Sequence, residues 1–516
     1  MKLGLVLALA VPFACATGVI AEGQPIFVDY SVEAGFQPAF SANVPAGGIA
    51  VADFNGNGYP DIFVTGYNQP NRLFFNNGDG TFSEDPAINL QLAGERCSIA
   101  AAADFDNDGW PDLYVGCRYA PNHLFRNLAG QGFEDVTPPE LQHQPQGPGA
   151  AHTDAVAWGD FSGNGFPDLF IGVHPASSQP DPSNPDNLDR IIMNHGDGQW
   201  TDTATLLDPM ARSRTALAAA FSDITGNGRP DLLVVNDKLQ GNSLWRNDGP
   251  GCGSWCWTDV ADQVGLQRPV WGMGIAIGDA ANDGLLDIYV SSIGEQVLFR
   301  QISSDPPLFI EAQAESGLDH NAVGWATLLA DFTNDGWEDA YLAVGSSPEP
   351  SALSDRCFLA NGDGSLEEAT AACGLDVALP TQTAALIDFE RNGRLDLVLG
   401  HWNAGYRLYR NQADNNHHWI GFELRPAAGA NRFGIGSLVL VETPDGVIRR
   451  RELRAGESRG ASHDPVLHFG LGEHDQAQVR IRWPDGWWQD LGSLAVDRYH
   501  SLDDQLVFGD DFAADF

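Results

Sequence analysis

The chemistry of this chain is concentrated in one nine-residue pattern. Residues 104–112 read DFDNDGWPD, which places Asp104, Asp106, Asp108 and Asp112 around Gly109. Carboxylates this close repel, and each raises the cost of ionising the next. A multivalent cation removes the conflict. In a D-x-[DN]-x-[DN]-G run, alternate side chains turn toward one centre, glycine supplies the positive φ of the sharp turn, and a backbone carbonyl adds a ligand from the seventh position. The hard cation that takes about six to eight such oxygens is Ca2+. An EF-hand loop would end in a twelfth-position Glu between helices. Here Asp stands ninth and β-rich sequence flanks the loop, the short β-loop form of the site.

The pattern occurs seven times, as DFNGNGYPD (53–61), DFDNDGWPD (104–112), DFSGNGFPD (160–168), DITGNGRPD (223–231), DAANDGLLD (279–287), DFTNDGWED (331–339) and DFERNGRLD (388–396). Every copy keeps Asp first and ninth, Asp or Asn fifth and Gly sixth. A lone copy is equally well a β-turn, which Asp, Asn and Gly favour; seven in register read as cation sites. The expected ligands are Asp53, Asn55, Asn57 and Asp61; Asp104, Asp106, Asp108 and Asp112; Asp160, Ser162, Asn164 and Asp168; Asp223, Thr225, Asn227 and Asp231; Asp279, Asp283 and Asp287; Asp331, Thr333, Asp335 and Asp339; and Asp388, Glu390, Asn392 and Asp396. Up to seven Ca2+ ions are expected. The second loop, with four carboxylates, should bind most tightly and the Asp279 loop, with Ala281 third, most weakly.

The elements that position these loops are short strands. Small and β-branched residues precede each loop, and a strand such as DLYVG or DLFIG follows. A third strand ends near Asn, as in NRLFFN and NHLFRN, and a fourth follows, as in GFEDVT. Four strands per repeat are the blade of a β-propeller, and seven repeats close a ring. The last repeat lacks its own fourth strand. PIFVDYSVEAGF (25–36) has that character, so the N-terminal segment is expected to complete blade seven and leave only short edges.

From residue 417 the repeat stops. Alternating strands with turns at PDG (444–446 and 484–486) indicate a small antiparallel β domain, sandwich-like, over 417–509, with a tail at 510–516. The propeller is assigned to 25–416. Arg449, Arg450, Arg451 and Arg454 are read as a solvated strand face rather than a docking surface for the acidic ring. Trp487 and Trp488 are read as packing under a hairpin rather than stacking on sugar. Gly456-Glu457-Ser458-Arg459-Gly460 matches G-x-S-x-G, but that motif needs a strand-to-helix elbow in a parallel sheet, so Ser458 is not assigned as a nucleophile.

The whole chain sets outer limits. Its 516 residues are 43% hydrophobic and carry a formal net charge of −41, which excludes nucleic acid and anionic membrane as partners. Lys2, an apolar run through Ala14 and small residues beyond form the layout of a signal peptide over 1–21, with cleavage after Ala16 or Ala21. Cys15 as a lipid anchor is disfavoured by Pro12. No later segment could span a bilayer, so no membrane insertion is expected. The six remaining cysteines read as three disulfides in an exported chain. Their positions along the blade strands pair Cys97 with Cys117, Cys252 with Cys256 and Cys357 with Cys373.

With these motifs in view, the chain resembles the FG-GAP/VCBS-repeat proteins that carry a C-terminal ASPIC/UnbV domain, a cartilage acidic protein-like group with repeats similar to the integrin α-type propeller. NRFGIGSLV, RELRAGES, LHFGLG and VRIRWPDG carry the match to the C-terminal domain. The resemblance implies a propeller with calcium in its loops and an adhesive or interacting role. The primary expectation is therefore a secreted or surface calcium-binding module, not an enzyme, for an extracellular protein or polysaccharide. Its ligand face would lie opposite the calcium loops, near Tyr67, Tyr119, Trp402 and Tyr406; Trp271 and Trp325 are read as filling the ring. The alternative is a propeller-based polysaccharide lyase or hydrolase using His152, His174, His401 or Glu349.

Overall fold

The computed structural model describes residues 26–504, except 39, 41–46, 86–87, 144–150, 176, 178–180, 346–353, 415 and 427–430. The signal-peptide segment, Glu349 and the tail from 505 lie outside the described residues. No described helix is long and apolar enough to cross a membrane.

Seven four-stranded antiparallel blades form a β-propeller. Blade two shows the plan: Arg96–Ala103 on the inside, then Asp112–Arg118, His123–Asn127 and Phe133–Asp135 outward. Inner strands are rich in alanine, as in RCSIAAAA and ALAAAFS; small side chains let strands converge near the axis. The apolar core lies between neighbouring blades: Ala50, Phe54 and Leu73 of blade one pack with Ala100, Leu113 and Phe125 of blade two. In blade seven, Thr381–Ile387, Asp396–His401 and Gly405–Asn411 are joined by Phe27–Asp29, with Phe27 opposite Asn411. Disulfides link Cys97–Cys117, Cys252–Cys256 and Cys357–Cys373, the three pairs expected.

Six inner strands carry a register shift near the end away from the acidic loops, for example between Cys97 and Ile99 and between Thr153 and Ala155. Such bulges re-aim the extra side chain.

The C-terminal domain is two sheets around Phe422, Val439, Phe469, Ile481 and Trp483. Leu438–Glu442 pairs with Ile448–Glu452 and Ala477–Arg482. His418–Leu424 pairs antiparallel with Leu467–Gly472 but parallel with Arg498–Leu502, a departure from a purely antiparallel domain. The parallel pair exists because the chain crosses from one sheet to the other before its last strand.

The segment around residues 455–463 leaves this domain and enters the ring. The Ala455 carbonyl accepts from Trp158 N–H at 2.7 Å, and Ser458 N–H donates to Ile275 O at 2.7 Å. The Gly460 carbonyl faces the amides of Ile49 and Ala100, both at 3.3 Å. Thr383 Oγ1 donates to Arg459 O at 2.7 Å, and the Arg459 guanidinium lies 4.6 Å from the Trp325 ring centre. With Ser222 bonded to Glu452, all seven blades touch the C-terminal domain or this segment. Gly456 sits at φ +117°, and a Cβ there would lie 2.8 Å from Ala157 Cα. Ser458 is fully buried in the plug, where no substrate could reach a nucleophile.

Candidate metal centre

Each loop is built by backbone amides aimed at side-chain oxygens. In blade two, the amides of Asp108 and Gly109 donate to the two oxygens of Asp104 at 3.0 and 2.8 Å. Asp106 accepts from Asp108 N–H at 3.2 Å, and Asp108 from Trp110 N–H at 2.9 Å. Asp112 accepts from Phe105 N–H at 3.0 Å. Gly109, at φ +95°, makes the turn that aims these amides. One oxygen of each of Asp104, Asp106 and Asp108 falls within 4.8 Å of the other two.

The plan recurs around the ring. The sixth-position glycine amide donates to the first aspartate in every blade, on Asp53, Asp104, Asp160, Asp223, Asp279, Asp331 and Asp388. The fifth side chain (Asn57, Asp108, Asn164, Asn227, Asp283, Asp335 or Asn392) accepts from the amide two residues on. The ninth aspartate closes each loop on a second- or third-position amide.

Burial pushes these carboxyls up: Asp61 to about 8, Asp104, Asp231, Asp279 and Asp287 to about 7, Asp160 and Asp388 to about 6. Burial raises Asp331, Asp335 and Asp339, and repulsion from Asp335 adds to it at Asp331 and Asp339. Buried oxygens of one sign lie together in these loops, their charge only partly offset by Arg126, Arg482, Arg300, Arg449 and Arg391. At the third position, Ser162 Oγ and Thr225 Oγ1 are buried without a well-formed hydrogen bond. This all-oxygen donor set fits a hard divalent cation.

The loops differ in their surroundings. In blade seven, Glu390 is clamped by Arg410 through two bonds of 2.8 and 2.9 Å, so it is only partly free to ligate. In blade five, Ala281 offers no ligand, but Glu338 of the next blade accepts from Asp279 N–H at 3.0 Å and adds a carboxylate beside the loop. The C-terminal domain covers loops four to seven. Arg449 donates to Gly336 O at 2.9 Å and Arg450 to Gly284 O at 3.2 Å, the sixth-position carbonyls of loops six and five. Tyr499 donates to Asp388 at 2.7 Å. Arg482 Nη1 lies 3.0 Å from Asp223 Oδ2, so the fourth loop already holds a cation, a guanidinium.

The arginine strand is therefore a docking face, contrary to its reading as solvated: Arg449 is buried, and Arg451 pairs with Glu338 at 3.1 Å. An acidic ring repays the desolvation of these guanidinium groups. Trp487 and Trp488 are exposed rather than packed, with Arg480 against Trp488. On the opposite face, Tyr119 is exposed and Tyr67 half-buried, both beside Arg96. Trp402 is half-buried there, and Trp271 is exposed rather than filling the ring. Tyr406 is not a ligand-face residue: it is buried, its hydroxyl accepting from Gly47 N–H and donating to Thr65 O. His401 is also buried, on Thr381 Oγ1, and burial pushes its pKa down to about 3, which removes it as a substrate-facing acid or base.

A further set of residues carries the ring's continuity. Asn127 Nδ2 donates to Phe54 O, the second position of the preceding blade's loop, at 2.9 Å. Asn76, Asn194, Asn247 and Asn411 repeat this on Phe389, Phe105, Phe161 and Phe332. The recurrent Asn ending the third strand was the visible signal; its role across blades was not. Blades five and six have Gln301 and Ala360 at the matching strand position.

Repeated β blades with an acidic loop apiece, capped by a separate β domain, are similar to FG-GAP-like repeats joined to an ASPIC/UnbV domain. The FG-GAP-like repeat model matches residues 53–115, 104–171 and 223–290, and the ASPIC and UnbV model matches 427–506. The chain is similar to cartilage acidic protein 1: the Homo sapiens protein is 24% identical over 483 residues, covering 85% of this chain and 69% of that one. Integrin alpha-7 of Rattus norvegicus is 27% identical over 162 residues, 28% of this chain and 13% of the integrin. A solved complex of BBS1N with ARL6DN overlaps 75% of this chain and 98% of its own at 10% identity and a TM-score of 0.44.

Proposed function

We propose that the chain is an exported, calcium-stabilised binding or adhesion module for an extracellular protein or polysaccharide, without catalytic activity of its own. The observation that carries this reading is the acidic loop repeated in all seven blades with its oxygens oriented by backbone amides, which suits the ring to serve as a cation-stabilised scaffold. Binding sites concentrate on loops and clefts held by such scaffolds. Three disulfides and the N-terminal signal-like segment agree with export.

The cleft best suited to a ligand lies between loops one and two and the C-terminal domain. It encloses about 580 Å³ and is lined by Trp110, Arg425, Arg432 and Phe433 beside Asp53 and Asn57. Loops one and two line it together with Arg391 of loop seven, so calcium in the first two loops would form part of its wall. The purified chain is screened on glycan and extracellular-protein arrays with and without Ca2+. The expected result is calcium-dependent binding, weakened by W110A and R432A, with any glycan recovered at full length. Shortening of a bound glycan would replace this reading with an enzymatic one.

A further inference from the structure

A second cluster of chemically competent side chains sits at the end of the ring away from the acidic loops. His152 and His174 face each other as cross-strand partners in blade three, with ring centres 5.2 Å apart. His152 Nε2 lies 3.0 Å from Asp154 Oδ2, and His174 Nε2 lies 3.3 Å from Asp237 Oδ2. His152, Asp154 and Asp237 are more than nine-tenths buried. Asp154 occupies the bulge between Thr153 and Ala155, which turns it toward the two imidazoles. One donor atom from each of His152, Asp154 and His174 falls within 4.8 Å of the other two.

We propose that His152 and His174, supported by Asp154 and Asp237, bind a nitrogen-seeking transition-metal ion of the Zn2+ class at this mouth of the ring, separately from the calcium loops. Each imidazole meets a carboxylate through Nε2 and turns Nδ1 away from it. Both Nδ1 atoms are buried and have no hydrogen-bond partner, which leaves one ring nitrogen of each histidine unused in the interior. Imidazole held by a carboxylate at one nitrogen and free at the other is the arrangement of metal-binding histidine. Arg118 fixes the carboxylate in turn, with three contacts of 2.8–3.0 Å to Asp154.

The surroundings also select the ion. Arg118 and Arg459 are near Asp154, and Lys238 is bonded to the Pro175 carbonyl at 2.5 Å. This positive charge opposes a cation held by electrostatics alone, so Ca2+ gains little here. An ion that bonds to imidazole nitrogen gains more, in the order that favours Cu2+ and Zn2+ over harder ions.

Zn2+ is titrated into the full chain held in millimolar Ca2+. The expected result is one equivalent taken up beyond the calcium loops, with affinity reduced about tenfold or more in H152N and H174N. D104N, in a calcium loop, keeps this equivalent. Cu2+ added to the wild-type chain gives an electron-spin spectrum with coupling to two imidazole nitrogens, a readout that needs no variant to fold. No Zn2+ uptake at saturating Ca2+, uptake unchanged in both histidine variants, or a Cu2+ spectrum without nitrogen coupling overturns the site. Binding of phosphate or sulfate in place of Zn2+ also overturns it, since that would make the cluster an anion site.

Discussion

Replacing Arg482 by Met tests whether a guanidinium stands in for calcium in the fourth blade. Arg482 reaches Asp223 at 3.0 Å, with side-chain exposures of 22% for the arginine and 6% for the aspartate. Removing one partner of a buried pair costs about 3–5 kcal/mol because the other charge is left alone. The partial exposure of Arg482 lowers that to about 2–3 kcal/mol. In EDTA the variant should show this full loss. In calcium the vacated loop can take an ion through Asp223, Thr225, Asn227 and Asp231. At tenfold over the dissociation constant, binding returns about 1.4 kcal/mol, and for modules of this kind that condition is about 1–10 mM. The penalty should therefore fall by about half between EDTA and 10 mM Ca2+. Thermal melts in the two buffers, with the bound calcium counted by elemental analysis, measure both quantities. R482M should bind one more Ca2+ than the wild type. Equal losses in both buffers, with an unchanged count, would refute the substitution of guanidinium for metal.

Chelation should lower the melting temperature of the wild-type chain, and an unchanged melt after verified metal loss would remove calcium from the scaffold. N127A leaves the Phe54 carbonyl without its cross-blade donor and should cost about 1–3 kcal/mol, read as a lower melting temperature with the calcium count retained. G456A places a side chain at φ +117° against the Ala157 backbone; it should cost about 1–3 kcal/mol and expose the C-terminal domain to limited proteolysis. C97S/C117S opens a link spanning 20 residues and should cost about 3 kcal/mol, checked by melting under non-reducing conditions.

The acidic loops were legible because their residues come from one short stretch: spacing alone decides which side chains can share one turn. The disulfides were legible for a similar reason, each pair lying within one blade. Arg449, Arg450 and Arg482 were not. Their partners are 113 to 259 residues away, and an alternating strand looks the same whether its polar face meets water or an acidic ring. Tyr406 was misplaced because an aromatic near a strand end serves equally well as a binding platform or as a hydrogen-bonded plug beneath Gly47. The G-x-S-x-G segment was correctly set aside, yet its use as an axial plug depends on the ring that surrounds it. Asp154 became visible only through a bulge, a one-residue irregularity that no alternation pattern encodes.

Blade seven takes its outermost strand from Phe27–Asp29, held by Arg410 and Tyr409 across the seam and by the Ile26 amide on Ala372 O. This strand must wait for nearly four hundred residues before its partner exists, which makes ring closure a late, high-contact-order event. Until then the open seventh blade accepts any chain end of the same sequence, so crowded refolding favours exchange of this strand between copies and intertwined dimers. For anyone expressing the protein, bulky fusions belong at the far end of the chain.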